Sequence, residues 1–299
     1  MISTMRAPLL KRTAAISAAA AAVLAAPAVA AVQPHAAKKK HTVIHVLYAG
    51  SLEDVMNNSV IPAFQRATGY RVDGFPAGSK DLVTDIKGKV QPGDVFISAN
   101  PALNKDLQGR ANGKWVSWYT QFATTALVLG YNPNSSFASA LTSQPWYQVI
   151  AKPGFRLGFT DPAQDPKGVL SVAALNAAAT KYNEPELKTI ATDQSDMFPE
   201  QNLVGDLQSG ELDAGFFYTV EASAAKIKTV SLGDIKEGGA YSVTVLNRAA
   251  NPTGGQAFVQ FLLGPKGRHL LKQAGLKMAK SFRAVGTHMP AVLDTVIKK

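Results

Sequence analysis

The chain reads as an α/β protein with a mostly parallel sheet covered on both faces. Two features of its first hundred residues predict this. Apolar, β-branched runs of strand length recur at 43–48, 70–75 and 93–98. Each is followed by a small-residue turn or break and a stretch of helical spacing. Strand, helix, strand, helix, strand is the order that packs helices on both faces of a parallel sheet.

The elements follow in order. After the first run, Ala49-Gly50-Ser51-Leu52 turns into a pattern with Val55, Ile61 and Phe64 at helical spacing, which Gly69 stops. After the second, Ala77-Gly78-Ser79 feeds a helix predicted over 80–87, and Pro101 opens another after the third. The middle of the chain predicts a long strand over 122–131, a short helix over 146–150 and a strand over 155–159. An Ala-rich helix over 168–182, a helix over 202–207 and a strand over 214–218 come next. Strands over 227–232 and 241–246 precede two helices, over 255–263 and 266–275.

The first 30 residues read as a cleaved secretory signal. Arg6, Lys11 and Arg12 precede an uncharged apolar run from Thr13 to Ala26, and Ala28-Val29-Ala30 supplies small residues for cleavage. The run is shorter than the roughly 20 residues that span a bilayer. Residues 31–41 form a basic tail, read as a solvated spacer and not as a nucleic-acid arm. The expected location is the periplasm. The chain has no cysteine, which excludes disulfides, thiolate metal sites, cysteine nucleophiles and a lipid anchor on Cys. The formal charge is +10. Arg6, Lys11, Arg12 and Lys38 to Lys40 supply six of it, so the folded body is near +4, a field that favours an anionic guest.

Three turns at strand-to-helix junctions are the candidate chemistry: Gly50-Ser51, Gly78-Ser79 and Pro166-Lys167-Gly168. Helix N-termini leave backbone N–H groups unpaired and carry partial positive charge, so they hold oxyanions without a formal cation. Glycine allows close approach, and a serine hydroxyl adds a donor. A serine in this position also reads as an ordinary helix cap, and 161–166 reads equally as a proline-rich loop with Asp turns. Enzyme signatures are missing. The histidines (His35, His41, His45, His269, His288) lie at the two ends of the chain, and no G-x-S-x-G elbow, phosphate loop or dinucleotide fingerprint occurs.

The order of these motifs resembles the molybdate/tungstate-binding proteins of ABC importers, especially the branch with archaeal tungstate-binding members. The similar segments are 46–52, 93–100, 118–124, Gly158-Phe159-Thr160-Asp161-Pro162 through Asp165-Pro166-Lys167-Gly168, and 210–218. The resemblance implies a type II periplasmic-binding-protein fold. Two α/β lobes, 42–122 with 219–299 and 123–218, would be joined by two crossover strands around a ligand cleft. It implies that Ser51 and Ser79 bind the anion, that Lys167 and Glu200 donate backbone N–H groups, and that the Tyr218 hydroxyl reaches the anion. Asp165 matches an aspartate whose carboxylate contacts the metal of the bound anion. Where that branch carries a second carboxylate, the resemblance aligns Phe217. The implied protein is a monomeric, non-enzymatic binding protein with no cofactor, no free metal ion and no nucleic-acid partner. It would capture molybdate or tungstate for a membrane permease. Sulfate or an organic anion is the alternative ligand, and a periplasmic serine hydrolase the alternative class.

Overall fold

The computed structural model describes residues 43–298; the signal and tail assigned to 1–41 lie outside them. Strand β1 (Val43–Ala49) pairs in parallel with β2 (Arg71–Ala77) on one side and β3 (Val95–Ser98) on the other. Helix α1 (Ile61–Thr68) ends at Gly69, which takes the left-handed conformation (φ 76°) that the sequence stop implied. Helix α2 (Ser79–Gly88) follows β2. The long strand β4 (Trp118–Tyr131) comes next, starting four residues before its predicted first residue.

The second group of strands is β5 (Leu157–Thr160), β6 (Met197–Phe198) and β7 (Ala214–Tyr218), in which β5 pairs in parallel with both others. Helix α3 (Pro166–Tyr182) follows β5, helix α4 (Leu203–Ser209) precedes β7, and helix α5 (Thr219–Ala224) leaves it. Then come β8 (Lys228–Val230), β9 (Gly238–Val245), α6 (Pro252–Leu263), α7 (Pro265–Gln273), β10 (Lys277–Met278) and β11 (Ala284–Gly286).

The expectation of a mostly parallel sheet holds only for the two flanks. The order is β2-β1-β3-β9-β4-β7-β5-β6, and β9 runs antiparallel to both β3 and β4. Strand β4 also pairs antiparallel with β7, β8, β10 and β11. Its first half, to Ala126, pairs with β9, and its second half, from Leu127, pairs with β7. One strand therefore belongs to both α/β halves.

Alternation along the strands explains the burial on both faces. In β1, Val46 and Tyr48 join the main core, while Leu47 points to a second cluster with Leu82, Ile86, Phe96 and Trp115. In β7, Phe216 and Tyr218 face the main core and Phe217 joins a third cluster with Leu203, Leu207 and Leu212. Phe96 is fully buried among the side chains of α2. Phe96→Ala is expected to destabilise the fold by about 3–5 kcal/mol, read as a shift of the urea unfolding midpoint with unchanged slope.

Candidate functional site

The parallel register of β1 and β2 sets Ala49 beside Ala77. The residues that follow them, Gly50-Ser51 and Gly78-Ser79, therefore leave the sheet side by side at its carboxyl edge, where α/β sheets bind ligands. Neither serine is the helix cap. The cap positions are Ala49 and Gly78, and no side chain caps either helical turn. Both serines are buried, at 5% and 0% exposure. Ser51 Oγ lies 2.8 Å from the Tyr241 hydroxyl on β9, and Ser79 Oγ accepts from the Ala99 N–H at 3.1 Å.

The β5–α3 turn of the other half meets the start of α2. The Gln164 carbonyl accepts from the Lys80 N–H at 3.0 Å and the Asp81 N–H at 3.4 Å. A Cβ on Gly78 would stand 2.7 Å from that carbonyl oxygen, so glycine there permits the contact. Asp165, buried at 3% exposure, caps α3. Its carboxylate accepts from the Lys167 N–H at 2.9 Å, the Thr160 hydroxyl at 3.1 Å and the Ser79 N–H at 3.4 Å. The capping reading that the serines escape thus applies to Asp165, whose carboxylate is engaged by three protein donors.

Lys167 sits differently from its expected role. Its backbone N–H serves the Asp165 cap, and its side chain is fully buried. The ammonium donates to Glu221 Oε1 at 2.9 Å and Oε2 at 2.7 Å, and lies 3.0 Å from Glu200 Oε2. The rings of Phe217 and Tyr218 are 5.4 and 5.9 Å away. Burial alone pulls an ammonium toward neutrality, but Glu200, Glu221 and Asp165 more than reverse that and hold Lys167 charged above the usual lysine range. Burial pushes Glu200 well above the ordinary carboxyl range, and Lys167 offsets only part of it. Glu221 is raised by burial as well, against the bonds from Lys167 and the Tyr218 N–H.

Glu200 enters the cluster through its carboxyl. A Cβ on Gly50 would come 2.4 Å from Glu200 Cγ, so the carboxyl lies directly over the Gly50-Ser51 turn. Tyr218, at the end of β7, is fully buried, and its ring meets that of Tyr241 edge-on at 6.2 Å. Among the described residues, the Tyr218 hydroxyl, both Glu200 carboxyl oxygens and, elsewhere, Asn104 Oδ1 are buried with no hydrogen-bond partner. All six predicted residues thus fall in one region, reached from both halves of the molecule. Three more were not singled out: Thr160, Glu221 and Tyr241. Glu221 carried a faint signal, an acidic residue three positions into a helix that starts after a strand, whose carboxylate accepts from the Tyr218 N–H at 3.3 Å. Phe217 packs into the third cluster with its ring centroid 5.4 Å from the Lys167 ammonium, and the carboxylate beside Tyr218 is that of Glu221. A cavity of about 380 Å³ opens beside the cluster, lined by Gly50, Ser51, Glu53, Glu200, Gln201 and Glu221. No group of His, Cys, Asp and Glu suited to a metal ion occurs among the described residues.

The family model described as bacterial extracellular solute-binding protein matches residues 44–277. The chain belongs to that family. An uncharacterized solute-binding protein of Halobacterium salinarum is 29% identical over 283 residues, covering 85% of this solute-binding protein and 89% of its relative. The molybdate/tungstate-binding protein WtpA of Thermococcus kodakarensis is 23% identical over 292 residues, covering 79% and 82%. The periplasmic molybdate-binding protein of Azotobacter vinelandii superposes with a TM-score of 0.64 at 20% identity, covering 79% of this chain and all of the other. That likeness establishes the periplasmic-binding-protein fold with two α/β halves. The matched segment spans the whole candidate site, from Gly50 to Tyr241.

Proposed function

We propose that this solute-binding protein captures molybdate or tungstate in the periplasm and delivers it to the membrane permease of an ABC importer. The observation that carries this reading is the convergence of Gly50-Ser51, Gly78-Ser79 and the Asp165–Lys167 turn on one buried polar cluster, in a chain whose relatives include a molybdate/tungstate-binding protein. The ligand is a dianion that must be desolvated, and the donors suited to it are N–H and O–H groups held in place beforehand. Tyr218 supports this most directly, because a buried hydroxyl without a protein partner costs free energy unless something else accepts from it.

Capture would begin at the Ser51 and Ser79 turns of the lobe formed by 42–122 and 219–299. The lobe formed by 123–218 would then close over the anion about β4 and add Tyr218 and the start of α3. The Ser79 N–H, held by Asp165 at a long 3.4 Å, is the donor most readily turned over to the guest. Sulfate would be rejected as too small. The same reading takes residues 1–30 as a removable export signal and the working form as a monomer without cofactor or enzymatic activity. No described helix is long and apolar enough to cross a membrane.

Titration calorimetry on Tyr218→Phe tests the reading. Molybdate affinity is expected to fall about 10- to 100-fold, the loss of one hydrogen bond to a charged acceptor. Stability is expected to hold or rise, since the hydroxyl serves no protein group. Unchanged affinity would remove Tyr218 from the site. Failure of the unaltered protein to bind molybdate or tungstate would end the proposal.

A further inference from the structure

One ammonium cannot neutralise two carboxylates. Lys167 stands between Glu200 and Glu221, and all three are buried, with Asp165 close by on the same helix start. A second uncompensated negative charge in such surroundings is expensive, and a proton on one carboxyl removes it. The geometry chooses which one. Glu221 accepts two aligned hydrogen bonds from Lys167 Nζ and one from the Tyr218 N–H. Glu200 touches Nζ at 3.0 Å through Oε2 without an aligned hydrogen bond, and its Oε1 has no partner. The carboxyl with fewer donors is the one that keeps the proton.

The position of that carboxyl gives the proton a use. Glu200 lies against Gly50 and lines the same cavity as Ser51 and Glu221. We propose, building on the oxyanion reading above, that Glu200 acts as a neutral carboxylic acid that donates a hydrogen bond to the captured oxyanion, so that capture weakens when Glu200 ionises. An ionised Glu200 would face the dianion as a like charge and offer only acceptors. The other titratable groups around it are Lys167 and Asp165 on α3, Glu221 on α5, Tyr218 at the end of β7 and Tyr241 on β9. Glu53 and Asp54 follow on the cavity wall. Lys167 and the two tyrosines keep their protons through neutral pH. The carboxylates of Asp165 and Glu221 accept several protein hydrogen bonds, and Glu53 and Asp54 are exposed; Glu200, buried with an unpartnered oxygen, is the group assigned the pH response. Burial pushing Glu200 upward agrees with this assignment.

Calorimetry with molybdate and tungstate from about pH 6 to about pH 10 tests it, because linked ionisation raises Kd by up to about tenfold per pH unit above the pKa of the group. The full-length mature protein is expected to show that rise. Glu200→Gln, which keeps an N–H donor and cannot ionise, is expected to give a flat profile. Glu200→Ala is expected to bind about tenfold or more weakly at the acidic end. A flat profile in the unaltered protein, or an unchanged slope in Glu200→Gln, would overturn the assignment. Infrared spectra without ligand give an independent readout. The carbonyl stretch of a protonated carboxylic acid is expected in the unaltered protein and absent in Glu200→Gln; in Glu221→Gln it is expected to weaken, because Lys167 is then free to pair with an ionised Glu200. If no variant binds either oxyanion at any pH, the functional reading fails, and the infrared band still decides whether the cluster holds a proton that depends on Glu200. An undiminished band in Glu200→Gln would sink the proton assignment on its own.

Discussion

Lys167→Met is expected to cost about 3–5 kcal/mol of stability, the cost of breaking a buried ion pair from one side. The mutation leaves Glu221 without the two hydrogen bonds from Nζ and sets it against Glu200 with no cation between them. Glu221 would then have to take up a proton, as Glu200 already does, to stay buried, which moves the loss toward higher pH: at acidic pH, where protons are abundant, the variant suffers least. Urea unfolding at about pH 5 and about pH 8 measures this, with the larger deficit at the higher value. The double change Lys167→Met with Glu221→Gln is expected to recover much of the deficit, because the one carboxyl it leaves, Glu200, already holds its proton. Equal losses in the single and double variants would mean that Lys167 acts through packing against Phe217 and Tyr218 and not through charge.

Gly168→Ala is expected to damage both stability and anion capture. A Cβ there would stand 2.1 Å from the Thr160 carbonyl oxygen, 2.7 Å from the Pro162 nitrogen and 2.8 Å from the Asp161 carbonyl carbon. All three are backbone atoms, so the start of α3 must move away from the end of β5. That displacement pulls Asp165 from Thr160 and from the Ser79 N–H of the other half. Overpacking of this kind costs about 1–3 kcal/mol. Loss of two donors to a charged guest weakens affinity by about 100-fold or more. Gly205→Ala makes the comparison, since nothing lies within 4 Å of the Cβ it would add on α4. There the exchange is expected to raise stability by about 0.5–1 kcal/mol through helix propensity and chain entropy. Calorimetry with tungstate and urea unfolding read both variants. Near-native affinity in Gly168→Ala would show that the start of α3 does not hold the guest.

Local chemistry made the strand-to-helix turns legible. Gly50, Gly69 and Gly78 each stand where the backbone needs a close approach or a left-handed turn. The two Gly-Ser turns follow consecutive strands, so parallel pairing was enough to set them side by side. The helix over Thr219–Ala224 escaped notice because six residues, fewer than two turns, carry no helical period. With it went Glu221. Lysine in the first turn of a helix reads as a solvated side chain, so nothing in the sequence marked Lys167 as a buried cation; its resemblance to family members pointed only to its backbone.

The amino-acid order by itself determined the α/β class, the positions of the turns that offer N–H and hydroxyl donors, and the absence of any cysteine chemistry. These are decided within one or two neighbouring elements, where period, glycine and proline act directly. The tertiary structure alone decided that β9 inserts antiparallel between β3 and β4, which pairs Ser98 with Ser242 across 144 positions of chain. It also decided that Lys167, Glu200 and Glu221, from three separate segments, share one buried volume. Partners so far apart leave no local pattern, because what fixes them is the closure of the whole core and the need to match every buried charge.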